Sequence, residues 1–325
     1  MAAAASRGLL VDVHTHVYLP RYVSFLRSRT AVPRVFSRSI PEGGTEERLL
    51  ILDAEPSGGR PMGPQYYERD LKLKFMEKHG IDISIISALP HLKGIIMGSR
   101  GLGKGLDDDA LEPVWAALEK AGLVVFLHPH YGVDGKEWGD KENGHVLPLA
   151  LGFPFETTIA VTRLILSGVL DRYPNLRMLL AHSGGALPQL SSRLASCIDH
   201  DPVVASRLKH DARFYLGKLY FDAVAYGSEE LGFVSDVIGR ADKFTQNGSS
   251  AGASAGAGVE QRRLGSRRMM FGTDHPFFPP LKETDKWKSV LENLEAIEGV
   301  YGWSEEDKAG VRGGNALALF GLQNA

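Results

Sequence analysis

Leu9-Leu10-Val11-Asp12-Val13-His14-Thr15-His16 is a short apolar run that ends in two imidazoles one residue apart. A strand turns residues i and i+2 to the same face, so His14 and His16 are expected to project together from the strand's C-terminal end. The same pattern recurs in Phe126-Leu127-His128, in Leu180-Ala181-His182 and in Phe271-Gly272-Thr273-Asp274. A His-x-His pair by itself is no more specific than two hydrogen-bonded core histidines. Two further histidines and a carboxylate, each ending an apolar run, favour a metal site. Imidazole and carboxylate without thiolate suit a catalytic zinc or a similar divalent ion with one coordination position left open. No lysine ends a neighbouring strand, so one ion is expected rather than two bridged by a carboxylated lysine.

Outward from these runs, apolar segments alternate with segments of helical period, the signature of a parallel sheet with crossover helices. The expected strands are Leu9 to His14, Ile83 to Ser87, Gly94 to Met97, Val124 to His128, Met178 to His182, Leu219 to Asp222 and Met269 to Asp274. Helices are expected over Glu112 to Ala121, Thr157 to Arg172 and Trp287 to Ile297, the last capped by Thr284 or Asp285. The pattern predicts an α/β fold, a (β/α)8 TIM-like barrel forming one domain over 1–325, whose catalytic residues sit at the C-terminal ends of the strands. Seven strands are counted where a closed barrel has eight. Ala88 to Lys93 is also too short to carry a parallel crossover, which takes about a dozen residues. One strand-helix unit is therefore expected to be missing near residue 88. Residues 34–64 are expected to form a long excursion over the active-site mouth, and Gln246 to Gly258 a mobile low-complexity insertion.

Composition narrows the function classes. In 325 residues, Lys+Arg 37 against Asp+Glu 39 gives a net charge of -2. With no long basic or acidic run, a small-molecule partner is expected rather than nucleic acid or a membrane. The start, Met1 to Arg7, lacks the apolar centre of a signal peptide and no segment reads as a membrane span, so the cytoplasm is expected. The single cysteine, Cys197, rules out an intrachain disulfide and reads as a small buried residue. His79 precedes Gly80 at a helix end where its charge would suit the dipole; with His200 and His210 it reads as structural. His130 and His275 flank the constellation. Gly98 to Gly105 imitates a phosphate loop but carries Gly105 where a magnesium-binding hydroxyl is required, so nucleotide binding is rejected and pocket lining is the alternative. Arg60 could hold a substrate carboxylate, and Phe277 and Phe278 could stack on a planar ring.

Val11 to His16, Phe126 to Pro129, Glu156 to Ala160, Ala181 to Gly185 and Gly272 to Phe277 together resemble the metal-dependent decarboxylase branch of the amidohydrolase superfamily. This branch includes aminocarboxymuconate-semialdehyde decarboxylase. Gly94 to Gly98, Gly101 to Asp108, His128 to Gly132 and Gly144 to Pro154 are most similar to fungal isoorotate (uracil-5-carboxylate) decarboxylases. The resemblance implies that His14, His16, His128 and Asp274 bind one Zn2+, with Mn2+ as the alternative ion, and that His182 stands beside the open position. It further implies Asp274 as catalytic acid with His182 second, Arg60 and Phe277 as substrate contacts, a carboxylated planar ring as substrate, and a homodimer. The chain departs from these relatives after Ile86-Ser87, where it lacks an Asn-Pro-Trp stretch. Two rival readings stand beside this one: a metal-dependent hydrolase of a lactone, ester or amide, and a truncated, catalytically impaired form.

Overall fold

The structure is a computed structural model that describes residues 8–41, 43–51, 58–86, 93–101, 103–130, 132–133, 138, 141, 143–245, 257–280, 282 and 285–322. Among the described residues, seven parallel strands form the wall of a TIM-type barrel: β1 (Val11–Asp12), β5 (Ile83–Ser84), β6 (Gly94–Gly98), β7 (Val124–His128), β8 (Arg177–Leu180), β9 (Tyr220–Asp222) and β10 (Met269–Met270). β6 to β10 pair in chain order, while β1 pairs with β5 through Val11↔Ile83 and Asp12↔Ser84. The two sheets meet along a seam between β1 and the segment after β10. Val13 N donates to Phe271 O, Thr273 N and Asp274 N both donate to His14 O, and Thr15 bridges His275.

Among the described residues no ladder joins β5 to β6. This break falls where the short connection predicted a missing unit, although residues 87–92 themselves lie outside the described set. A cavity of about 200 Å3 opens there, lined by Val13, Ile83, Ile85, Ile96, Val124 and Phe126 among others. Elsewhere the barrel is packed. Val11, Val13, Val124, Phe126, Leu179, Ala181 and Met270 fill its interior, and Ala316, Leu319 and Phe320 close one end.

The helices include α1 (Pro20–Ser28), α2 (Arg69–His79), α3 (Glu112–Ala121) and α4 (Phe153–Leu166), of which α3 and α4 overlap expected helices. α3 matches its expected bounds, because Gly122 takes the left-handed conformation, φ 62°, that ends it. The expected helix over Thr157 to Arg172 instead starts at Phe153 and breaks at Gly168, φ 71°, before Val169–Arg172. The helix predicted from Trp287 runs Lys288–Gly299, with Trp287 itself in the capping position and no side-chain cap bond. The described part of the expected excursion over residues 34–64 contains an antiparallel sheet of β2 (Arg34–Ser39), β3 (Thr45–Leu50) and β4 (Arg60–Pro61), which pairs backbone groups that would otherwise be left to solvent. Of the low-complexity stretch, residues 246–256 lie outside the described set, and 257–258 already belong to the helix Ala257–Ser266.

Three smaller expectations are corrected. Cys197 is exposed rather than buried, because it lies on the outer face of the helix Leu187–Asp199. His79 is buried and neutral: Nδ1 bonds Phe75 O, Nε2 accepts from Trp287 N, and burial lowers its pKa, so no imidazolium meets the helix dipole. Finally, the continuous helical run Pro148–Leu166, 19 residues, is long and apolar enough to cross a bilayer, although half of it is buried against the barrel.

Candidate metal centre

The barrel brings residues separated by up to 260 positions to one point. His14 is fully buried, and its Nδ1 lies 2.6 Å from Asp222 Oδ2. That bond leaves Nε2 facing the barrel mouth, 3.1 Å from His128 Nε2 and 3.2 Å from Asp274 Oδ1. His16 Nε2 reaches the same Asp274 oxygen at 3.1 Å, and His182 Nε2 lies 3.9 Å from Asp274 Oδ2. Ligand atoms of His14, His128, His182 and Asp274 all fall within 4.8 Å of one another. All five residues anticipated from the sequence therefore converge, His16 through its contact with Asp274.

The backbone here departs from ordinary strand ends. His182, Ser183 and Asp274 adopt positive φ of 55°, 51° and 55°, a region that non-glycine residues rarely occupy unless the surroundings hold them there. Gly272 allows the approach of the last strand to the first, since a Cβ there would sit 2.6 Å from His14 Cβ.

Electrostatics divides the ring of side chains into charged and neutral members. Burial disfavours the His14 cation, yet Asp274 and Asp222 outweigh it and push its pKa up to about 10. Burial would likewise raise Asp274, but His14 and His16 hold its carboxyl well below the usual carboxylate range. Burial, with the neighbouring imidazoles adding to it, holds His128 well below its ordinary value and lowers His182; burial also brings His16 down to about 4. Neutral imidazoles and an ionised carboxylate are the protonation states that ligate a cation. His182 Nδ1 is buried and finds no hydrogen-bond partner among the described residues. The close Nε2 pair of His14 and His128, with one Asp274 oxygen within reach of both His14 and His16, fits a divalent ion at the centre of the donors.

Above the cluster lies a cavity of about 1080 Å3, lined by His16, His128, His182, Asp274, Arg60, Phe153 and Phe277 among others. The Arg60 guanidinium lies 5.1 Å from the Phe277 ring centre and 5.5 Å from that of Phe153, and Phe277 stands edge-on to His16 at 4.9 Å. β3 and β4 carry Leu49 and Arg60 into this wall, so the excursion does form part of the mouth. Phe278 and His130 line it too, His130 with Nδ1 on His128 O. The glycine-rich loop lines instead a separate cavity of about 300 Å3 with Arg100, Glu156 and Arg163. His200 and His210 lie away from the centre; His200 Nδ1 bonds Ser196 O, and His210 stacks on Phe214.

The sequence reading missed Asp222. This fully buried carboxylate accepts from His14 Nδ1, from His182 N at 3.0 Å, from Ser183 N at 2.8 Å and from Val224 N at 3.1 Å. The available signal was its place at the end of the apolar run Leu219 to Asp222, the same place the other site residues occupy.

Residues 11–322 match the family described as amidohydrolase. The chain belongs to that family. Among its relatives, 2-amino-3-carboxymuconate-6-semialdehyde decarboxylase of Dictyostelium discoideum is 32% identical over 71% of this chain. The match spans only 54% of that relative's own length. Among solved structures, IDCase from Metarhizium anisopliae in apo form is 34% identical with a TM-score of 0.82, covering 100% of this chain and 99% of its own. A 5-carboxyvanillate decarboxylase from Novosphingobium aromaticivorans, crystallised with manganese, shares the fold. It is 22% identical with a TM-score of 0.51, over 70% of this chain and 56% of its own. The Dictyostelium relative is thus a decarboxylase by name, and the barrel of this chain carries the His/Asp cluster described above.

Proposed function

We propose that this amidohydrolase is a metal-dependent, non-oxidative decarboxylase acting on uracil-5-carboxylate to give uracil and carbon dioxide, a reaction of pyrimidine salvage. The observation that carries the reading is Arg60, held between Phe153 and Phe277 in the same cavity as the His/Asp cluster. A cation for a carboxylate and aromatic faces for a flat ring thus share one space with a metal centre. Similarity to IDCase over the whole chain supports the choice of ring. Zinc is the ion the donor set suits, with manganese second. A homodimer in the cytoplasm completes the proposal.

His14, His16, His128 and Asp274 would hold the ion, with His182 beside its open position. When bound, a divalent cation supplies Lewis-acid polarisation of the ring carbonyl next to the carboxylate. Arg60 orients the carboxylate and Phe277 fixes the ring plane. Asp274 delivers a proton to ring carbon 5 as the C5–C6 π pair forms the new C–H bond. The bond to the carboxylate then breaks, its electron pair restores the double bond, and carbon dioxide leaves. His14 and His16 favour the ionised form of Asp274, so its proton is loaded anew in each turnover. His182, 3.9 Å away, is the neighbour placed to pass it.

The test is purification with metal analysis, followed by an ultraviolet assay for loss of the 5-carboxylate. Release of uracil and carbon dioxide is expected; a ring-opened acid would instead identify a hydrolase. The catalytically impaired reading has its own supporting observation, the lack of a ladder between β5 and β6 among the described residues. A chain that purifies without stoichiometric metal and without turnover would establish that alternative.

A further inference from the structure

Lys72 is a lysine buried in the barrel, with a side chain only 5% exposed. It projects from α2 toward the seam between β1 and the last strand. Its ammonium donates to Thr15 Oγ1 at 2.6 Å, lies 3.5 Å from Asp12 Oδ2, and sits 4.7 Å from the centre of the Phe75 ring. A buried ammonium is tolerated only when paired and hydrogen-bonded, and here both partners belong to the strand that carries His14 and His16.

The contacts continue across the seam. Asp12 Oδ1 accepts from His14 N at 3.2 Å and Thr273 N at 3.1 Å, and Oδ2 accepts from Thr273 Oγ1 at 2.9 Å. Thr273 Oγ1 in turn accepts from His275 N at 3.1 Å, while Thr15 Oγ1 donates to His275 O at 3.2 Å. Both chain neighbours of Asp274 are therefore pinned to the two residues that Lys72 grips. Asp274 itself has φ 55°, a backbone conformation that must be held from both sides.

We infer that Lys72 is a positioning residue of the metal centre: by neutralising Asp12 and gripping Thr15 it fixes the histidine-bearing strand against Asp274. The inference rests on reading the His/Asp cluster as a metal centre. Lys72 touches neither substrate nor ion and acts through the placement of the ligands. An apolar residue there would fill the space but would leave Asp12 without its cationic partner, and would release Thr15.

The experiment compares the full-length chain with Lys72→Met, with the charge-neutral double variant Lys72→Met/Asp12→Asn, and with Lys74→Met on the exposed side of the same helix. Calorimetric titration with Mn2+ gives the affinity, the metal-free protein gives Tm, and uracil-5-carboxylate turnover at saturating Mn2+ gives kcat and KM. Lys74→Met should match the wild type throughout. The double variant should regain most of the Tm lost in Lys72→Met, yet bind Mn2+ roughly 10–100-fold more weakly, as loss of a residue that orients metal ligands does. Its kcat should fall while KM stays near the wild-type value, because Arg60 and Phe277 are untouched. Wild-type Mn2+ affinity in either Lys72 variant would overturn the inference. If neither Lys72 variant folds, Thr15→Val removes only the hydroxyl that Lys72 grips, and unchanged Mn2+ affinity there would overturn it equally. A wild-type chain that does not bind Mn2+ would also sink it. A chain that binds Mn2+ but does not decarboxylate would sink only the proposed substrate reaction, since the affinity comparison needs no turnover.

Discussion

Replacing Asp222 with Asn changes one buried atom and alters the hydrogen-bonding role of His14. Asp222 Oδ1 accepts from Ser183 N and Val224 N, and Oδ2 accepts from His182 N and His14 Nδ1. An asparagine oxygen that keeps the two backbone donors of Oδ1 leaves its NH2 where Oδ2 was. That NH2 faces His182 N–H, which loses its acceptor at a cost of about 1–3 kcal/mol. It also faces His14 Nδ1, which must give up its hydrogen and accept instead. The ring proton then moves to Nε2, the nitrogen that points at His128 and Asp274, and the lone pair that would ligate a cation is lost. Removing such an orienting partner weakens metal binding roughly 10–100-fold, equivalent to about 1.4–2.7 kcal/mol. The assay is a competition titration of Mn2+ against a chelator, with thermal melting of the metal-free protein alongside. Asp222→Asn that melts a few degrees low but binds Mn2+ as tightly as the wild type would refute the claim that this carboxylate sets the His14 tautomer.

Other substitutions probe the centre from different sides. Asp274→Asn should lower kcat by at least about 100-fold, the scale of a general acid, while substrate binding remains measurable by calorimetry; retained turnover would remove Asp274 from the proton path. Arg60→Met should raise KM roughly 10–100-fold, the value of one charge-assisted hydrogen bond of about 1.5–3 kcal/mol, with kcat much less affected; an unchanged KM would mean the carboxylate is held elsewhere. Gly272→Ala should cost about 1–3 kcal/mol of stability by overpacking, read as a lower Tm, because its Cβ would meet His14 Cβ at 2.6 Å and Val224 Cγ2 at 3.0 Å. Metal affinity should depend on pH with a definite sign. Burial opposes the His14 cation, but Asp274 and Asp222 outweigh it, so the ion-free ring keeps its proton up to about pH 10. A cation must displace that proton, so below this pKa the apparent affinity should rise about tenfold per pH unit as pH increases; a flat profile through neutrality would contradict it.

The strand cores and their order were legible because each is a short apolar run between breakers, and Val124–His128 appears over the expected span. The strand ends were not. His14, His182 and Asp274 leave the regular ladder just where they turn into the mouth, two of them with positive φ, and hydrophobic pattern carries no information about that turn. The excursion hid its sheet because Arg48, Glu46 and Glu47 interrupt the apolar alternation; Arg48 is buried through a bond to Gly59 O and an ion pair with Glu46. The site's donor types were readable as a list of run-ending residues. Its supporting carboxylates, Asp12 and Asp222, resemble ordinary strand acids until the fold shows which donors they face. Lys72 was invisible for a related reason: on α2 it is one of several lysines, and only tertiary packing separates it from Lys74.

The seam between β1 and the segment after β10 has a consequence for biosynthesis. His14 and Asp274 lie 260 positions apart in the chain, so a nascent polypeptide on the ribosome lacks part of its donor set until the last strand has been made. An ion captured at that moment would act as a clasp on a ring that has just closed, adding about 2.7 kcal/mol at a free concentration one hundred times its dissociation constant. Metal starvation during translation should accordingly lower the yield of folded molecules, beyond leaving mature ones idle.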